Sequence, residues 1–212
     1  MQAGSAADLR AQATELGVAL DLEQAVQLLQ LLAELQQWNR AYNLTRIETP
    51  TAMVTHHLLD SLAASGELTG TRIIDLGTGA GFPGLPLAIA HPQLQFTLVD
   101  ATAKKVRFVA HATRTLGLKN VLPLHARAEA LRPEHPFETI VARAVGSLAE
   151  LAALATPLSA PGTRLLAYKG QRPDGELTVL PANWELLKVC RLQIPGLAAE
   201  RCLVSLVKRP AD

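Results

Sequence analysis

The run with the most chemistry in it is Asp75-Leu76-Gly77-Thr78-Gly79-Ala80-Gly81-Phe82-Pro83-Gly84, which follows a short apolar stretch and opens onto a helix-like one. Glycines at such a junction permit a tight turn and let a ligand lie directly on the backbone. Asp100 ends the next apolar stretch, 21 residues after Gly79. An acid in that place accepts hydrogen bonds from ribose hydroxyls. Gly77, Gly79, Gly81 and Asp100 therefore point to a cofactor that contains adenosine.

Charge decides which one. Residues 79–84 satisfy the GxGxxG pattern of dinucleotide sites, a match that is weak by itself. Asp75 sets a carboxylate beside the loop, where it would repel a pyrophosphate and attract the ammonium and sulfonium of S-adenosylmethionine. Pro83 and Pro86 each lack an N–H, so two donors that a pyrophosphate would use near the helix start are missing. The reading is S-adenosylmethionine. An NAD-dependent oxidoreductase is the competing enzyme, and a glycine turn that binds nothing is the plain structural alternative.

These residues need a scaffold to hold them. Arg72–Leu76, Phe96–Asp100, Val121–His125, Thr139–Ala142 and Arg164–Tyr168 are short apolar runs of strand type, with Pro123 marking the third as an edge or a bulge. Helical stretches fall between them at 84–90, at 103–116 with Gly117 as stop, and at 147–156, where Ser147 and Glu150 form a capping box and Pro157 ends the helix. Such alternation predicts a parallel sheet covered on both faces. In that sheet the loop Ala126–Ala130 borders the adenine, and the Ala128 backbone and Glu129 side chain can read its edge; an ordinary exposed helix start is the alternative. Glu185–Leu192 and Cys202–Val207 are strand-like runs joined by a short linker containing Pro195-Gly196, so they should pair antiparallel. The expected fold is a doubly wound, Rossmann-like α/β sheet of the class I methyltransferase type: five parallel strands plus a C-terminal antiparallel hairpin.

Ahead of the sheet the pattern is helical. Helices are predicted over 5–17, over 21–42 with Asp21 as cap and Gln24 at the capping-box position, and from Thr49-Pro50 to about Ala64. Leu22, Ala25, Val26, Leu29, Leu32, Leu35 and Tyr42 recur at helical spacing as a core stripe. The expected division is a helical extension over 1–69 and one compact cofactor-binding core over 70–212.

Hydrophobic residues make up 49% of the 212 positions and aromatics only 4%, so the core must be aliphatic. The net charge of +1 gives no global field, and any nucleic-acid contact must rest on a local basic face. Lys104, Lys105, Arg107 and Arg114 share one predicted helix, and Lys169 with Arg172 forms a second patch. Each is either a phosphate contact or a solvated face. Cys190 and Cys202 lack zinc spacing and read as free, core-packed thiols in a reducing compartment. His56 and His57 diverge by about 100° on a helix and cannot share a metal, so no metal is expected. No apolar stretch approaches ~18 residues, and Met1–Ser5 carries no sign of a secretory leader. The expectation is a cytoplasmic protein with no membrane segment.

Several segments resemble one family. The run Asp75–Pro92, DLGTGAGFPGLPLAIAHP, is similar to that of the ribosomal RNA small subunit methyltransferase G family, also called glucose-inhibited division protein B. Trp38–Thr45 resembles its WNxxYNLT, His57–Ser61 its HxLDS, Lys104–Phe108 its KRVRF, and Lys169–Gln171 its KGQ, in register over roughly 22–209. Ala80 departs from the proline of many members. The resemblance implies methylation of a guanine N7 in 16S ribosomal RNA near the decoding region, with the RNA or the small ribosomal subunit as partner. It also places Gly77, Phe82, Ala128, Glu129 and Arg143 at cofactor-contacting positions, and Lys169 toward the target.

The chemistry is compatible without selecting N7. Guanine N7 carries a lone pair and no proton, so alignment suffices and no general base is required; Arg143 and Lys169 are candidates for positioning. Val141-Ala142-Arg143-Ala144 stands where enzymes acting on exocyclic amines carry D/N-P-P-Y/F, and no cysteine lies near the fourth or fifth strand for a covalent cytosine mechanism. Arg143 is either a cofactor or RNA contact or one half of a structural ion pair, with Asp75 as its partner. A non-catalytic module that senses S-adenosylmethionine or binds ribosomes is the third reading.

Overall fold

The computed structural model describes residues 4–210; residues 1–3, the start of the segment read as leaderless, and 211–212 lie outside them. The helices are α1 Ala6–Glu15, α2 Leu22–Tyr42, α3 Pro50–Met53, α4 Asp60–Leu62, α5 Gly84–Ala90, α6 Ala103–Thr115, α7 Leu148–Ala155 and α8 Asp174–Leu177. The strands are β1 Arg72–Leu76, β2 Gln95–Asp100, β3 Val121–His125, β4 Phe137–Arg143, β5 Ser159–Lys169, β6 Trp184–Arg191 and β7 Cys202–Lys208. They form one sheet in the order β3-β2-β1-β4-β5-β7-β6. The first five are parallel, and β7 runs antiparallel to both β5 and β6.

The five parallel strands and the closing hairpin are those the sequence predicts. Strand order reverses between β1 and β4, and the crevice beyond their carboxyl ends is where such sheets bind ligands. Pro123 sits on β3 at the outer edge of the sheet, where its missing N–H costs no ladder bond.

Alternation along the strands explains the two cores. Ile73 joins a cluster with Leu28, Leu31 and Leu35 of α2, Leu85 of α5 and Phe108 of α6. Its neighbour Ile74 points the other way, into a cluster with Leu148 and Leu151 of α7 and Trp184 of β6. Helix α2 therefore packs into the same apolar layer as α5 and α6. Its capping box, Asp21 with Gln24, forms as predicted, as does that of Ser147 with Glu150 on α7.

Two local readings are corrected, and one short helix was not anticipated. The stripe on α2 is right in part: Ala25, Leu32 and Leu35 are buried as predicted and are joined by Leu28 and Leu31, while Leu22 is 60% exposed, Val26 40% and Tyr42 39%. Leucine is so frequent in this helix that two neighbouring faces both read as apolar. Second, Thr49 makes no side-chain cap bond, and the helix it precedes is not uniform: Val54–Leu59, between α3 and α4, is π-helical. The unanticipated helix, α8, lacks enough periodicity to be read from four residues. Cys190 and Cys202 lie on β6 and β7 as free thiols. Among the described residues no helix is long and apolar enough to cross a membrane, and no group of three His, Cys, Asp or Glu could hold a metal.

Candidate active site

The end of β1 carries Asp75, fully buried beneath the glycine loop. Its Oδ2 accepts from Thr78 Oγ1 at 2.6 Å and from the Gly84 N–H at 2.8 Å, so one oxygen ties both ends of the glycine loop. A Cβ at residue 84 would come within 2.7 Å of that oxygen. Oδ1 is buried and has no hydrogen-bond partner among the described residues. Burial pushes the Asp75 carboxyl up to about 7, against the opposing pull of Thr78, Gly84 and Arg143. Asp100, at the end of β2, accepts from the Gly79 N–H at 3.0 Å and from the Thr102 N–H at 2.8 Å. Both acids therefore build the loop, and Asp100 also lines a pocket.

Gly77, Asp100, Ala126, Ala128, Glu129 and Val145 line a pocket of about 240 Å³ floored by Leu76 and Val99. Gly77 has φ +66°, and a Cβ there would stand 2.7 Å from Val145 Cγ2. No other residue fits without moving the wall. The turn Ala128–Ala130 presents backbone groups along one side. The pocket brings together the predicted ribose acid and the predicted adenine-reading residues.

A second cleft, of about 420 Å³, opens at the ends of β4 and β5, lined by Ile47, His57, Asp60, Arg143, Tyr168 and Arg201 among others. Arg143 Nη1 donates to Asp60 Oδ2 and to the His56 carbonyl, both at 2.9 Å. Its partner is Asp60, where the sequence reading offered Asp75. Asp60 is 2% exposed, and its other oxygen lies 3.4 Å from Arg201 Nε, within ion-pair reach. Tyr168 OH donates to the Ser61 carbonyl at 2.6 Å and fixes α4 against β5.

Phe82 joins the glycine loop to this cleft. Its ring carries the Arg143 guanidinium at 5.8 Å on the one hand and the His57 imidazole at 4.6 Å, nearly parallel, on the other. His57 Nε2 lies 3.0 Å from Thr45 Oγ1, while Nδ1 is buried and unpartnered among the described residues. Burial, and then the charges of Arg143 and His56, push its pKa down to about 3. The imidazole is neutral at physiological pH and a poor proton acceptor.

The basic candidates are scattered. On α6, Lys104 donates to the Tyr42 carbonyl at 2.9 Å, Lys105 lies 3.6 Å from Asp100, and Arg107 sits 6.0 Å over the Tyr42 ring. Lys169 lines the second cleft, with Nζ bonded to Glu176 at 2.8 Å and to the Gly146 carbonyl at 3.0 Å. Arg172 pairs with Asp174 in an exposed contact. Sequence reading missed Arg201 as a cleft residue. It flagged His57 and Asp60 only through the HxLDS segment, and nothing local to Arg201 could have found it.

The site fits S-adenosylmethionine on its own chemistry. One buried carboxylate oxygen of Asp75 lacks a partner beneath the glycine loop, Asp100 stands in the pocket beside it, and Gly77 leaves open the room a Cβ would fill.

Comparison with known proteins agrees. Residues 24–204 match the family described as rRNA small subunit methyltransferase G. A ribosomal RNA small subunit methyltransferase G from Nitrosococcus oceani is 47% identical over 196 residues, 92% of each chain. One from Xanthomonas oryzae is 48% identical over 186 residues, 88% of each. Among solved structures, TrmN from Thermus thermophilus aligns with a TM-score of 0.56 at 22% identity, over 73% of this chain and 53% of that one. A SAM dependent methyltransferase from Aquifex aeolicus gives 0.54 at 18% identity, over 71% and 90%. The structural likenesses establish the fold alone. With the family match spanning most of its length and relatives near half identical over about nine-tenths of both chains, the chain belongs to the rRNA small subunit methyltransferase G family, and it is a methyltransferase dependent on S-adenosylmethionine.

Proposed function

We propose that this enzyme methylates the N7 of a guanine in 16S ribosomal RNA. The family and the names of its relatives support ribosomal RNA of the small subunit as the substrate class. Such a substrate goes with a cytoplasmic site of action.

The sulfonium of S-adenosylmethionine supplies the methyl group to a lone pair aligned with it. Gly77, Asp100, Ala128 and Glu129 would hold the adenosine. Gly79 and Gly81 shape the turn, and Asp75, Phe82 and Arg143 border the methionine side. Asp75 is suited to a cation because Oδ2 is committed to Thr78 and Gly84 while Oδ1 is free. A cation beside it favours the ionised carboxylate, so binding draws off the proton that burial retains near neutrality.

The observation that carries the N7 reading is the make-up of the second cleft. Its ionisable groups are Arg143 and Arg201 held by Asp60, a Lys169 bonded to Glu176, and imidazoles of which the buried one has a pKa of about 3. Asp60 is committed to two guanidiniums and His57 is a poor proton acceptor, so a target that must lose a proton is left with the half-buried His56 alone among the imidazoles. A lone pair that needs only alignment requires no acceptor. Arg143, fixed by Asp60 and the His56 carbonyl and set over Phe82, is the residue placed to align it. Lys169 acts indirectly, through the loop it ties at Gly146.

Incubation with methyl-labelled donor and unmethylated small-subunit RNA or particles, followed by nucleoside digestion, should yield labelled 7-methylguanosine. Label in any other base would overturn the N7 assignment.

A further inference from the structure

Four arginines converge where the second cleft meets the C-terminal hairpin. A smaller hollow of about 220 Å³, lined by Gln171, Arg172, Arg191, Glu200, Arg201 and Cys202, lies beside the cleft. Gly170 and Arg201 line both, so the two form one continuous groove from Arg143 across the end of β7 to β6.

We propose that the RNA strand flanking the target guanosine lies in this groove, with Arg201 gripping its phosphate and Asp60 acting as the positioning residue that orients Arg201 and Arg143. The proposal rests on an RNA substrate, not on which base is methylated.

Asp60 is one carboxylate shared by two guanidiniums, which leaves an uncompensated positive charge at the cleft wall. Arg201 retains access, with 25% of its side chain exposed against 3% for Asp60. Further along, the Arg172–Asp174 and Arg191–Glu200 pairs are more than half exposed on every side chain. Exposed pairs of this kind hold weakly, and phosphates can take over their guanidiniums. The cations of α6 differ: Lys104 and Lys105 already face the Tyr42 carbonyl and Asp100.

The experiment measures KM for small-subunit RNA across a salt series, with donor affinity read separately by calorimetry. Arg201→Ala should raise the RNA KM about tenfold and leave the donor Kd within about twofold. Its salt slope should be shallower by about 0.7, the value for one lost single-strand phosphate contact. Arg201→Lys should restore the slope but not the full KM, because the charge returns without the fork. Arg172→Ala/Arg191→Ala, both on the surface, should flatten the slope further, and Lys104→Ala/Lys105→Ala should leave it unchanged. Asp60→Asn should lower kcat and raise KM together. Should Arg201→Ala fail to fold, Arg201→Lys and the Arg172/Arg191 pair decide the matter. Unchanged slopes in the groove variants, or a loss confined to the α6 pair, would overturn the groove. An Asp60→Asn enzyme with unchanged kcat would remove the positioning role. Nucleoside analysis of the wild-type product tests the choice of base independently.

Discussion

The two hollows at the carboxyl edge of the sheet are built in opposite ways. The pocket proposed for adenosine is made of turns: Gly77 with its left-handed φ, the Ala128–Ala130 turn, and backbone N–H groups handed to Asp75 and Asp100. The second cleft is made of long side chains from distant segments, Asp60, Arg143, Tyr168 and Arg201, which hold one another across the gap. A pocket of backbone is rigid and intolerant of a single added methyl. A cleft of ion pairs is adjustable but depends on every partner being present. The first suits a small molecule of fixed shape, and the second a polymer that must be admitted and released.

That contrast can be broken, and the heaviest blow falls on the cleft. Arg143→Ala leaves the Asp60 carboxylate buried without its hydrogen-bonded cation, and breaking a buried pair in this way costs about 3 kcal/mol. Chemical denaturation should show that loss, together with weaker donor binding. A stability change under about 1 kcal/mol would mean that the cleft is not held by its charges. Gly77→Ala attacks the pocket instead. The overlap with Val145 and the positive φ should weaken donor binding by about 2–3 kcal/mol, roughly a hundredfold, with little change in RNA affinity. Calorimetry showing equal donor affinity in this variant would refute the claim that backbone shape sets the pocket.

Asp75 sharpens the comparison through pH. Its folded pKa, about 7, lies above the ordinary carboxylate value of 3.8. The folded protein without donor therefore retains a proton the unfolded chain has released, and stability falls as pH rises between those values. Donor binding needs the ionised form, so affinity should rise several-fold from pH 6 to pH 8 in the wild type and stay flat in Asp75→Asn. Identical profiles would detach Asp75 from the donor. The smallest effect belongs to Glu176→Gln. The Lys169–Glu176 contact is partly exposed, and its loss should cost about 1 kcal/mol and leave donor binding intact. A larger fall in donor affinity would show that the loop after β4 governs both hollows.

How far each hollow could be read in the sequence follows from the same difference. The pocket is assembled by contiguous residues at strand ends, so Asp75 through Gly84 and Asp100 announce it by spacing. The parallel strands were legible for a related reason, since each is a short aliphatic run with a break on both sides. Asp60 and Arg201 are separated by most of the chain, and only the insertion of β7 between β5 and β6 brings them together. Lys104 and Lys105 looked like a free basic face because periodicity places a lysine on a helix without saying which carbonyl or carboxylate it will meet. On α2 the stripe was caught at Ala25, Leu32 and Leu35 and lost at Leu28 and Leu31 through excess of signal, with too many leucines for one face to stand out.

The π-helical stretch Val54–Leu59 has a consequence for how this family of folds can vary. A wide turn carries one residue more than the α-helix around it while keeping the flanking turns in phase, so removing a single residue there would return the helix to regular winding and leave Asp60 and Ser61 where they are. Their bonds to Arg143 and Tyr168 would survive, and the residues displaced would be those of the wide turn itself, His56 and His57 among them. One deleted codon would thus be expected to spare the ion pairs of the cleft and to alter the imidazoles that line it.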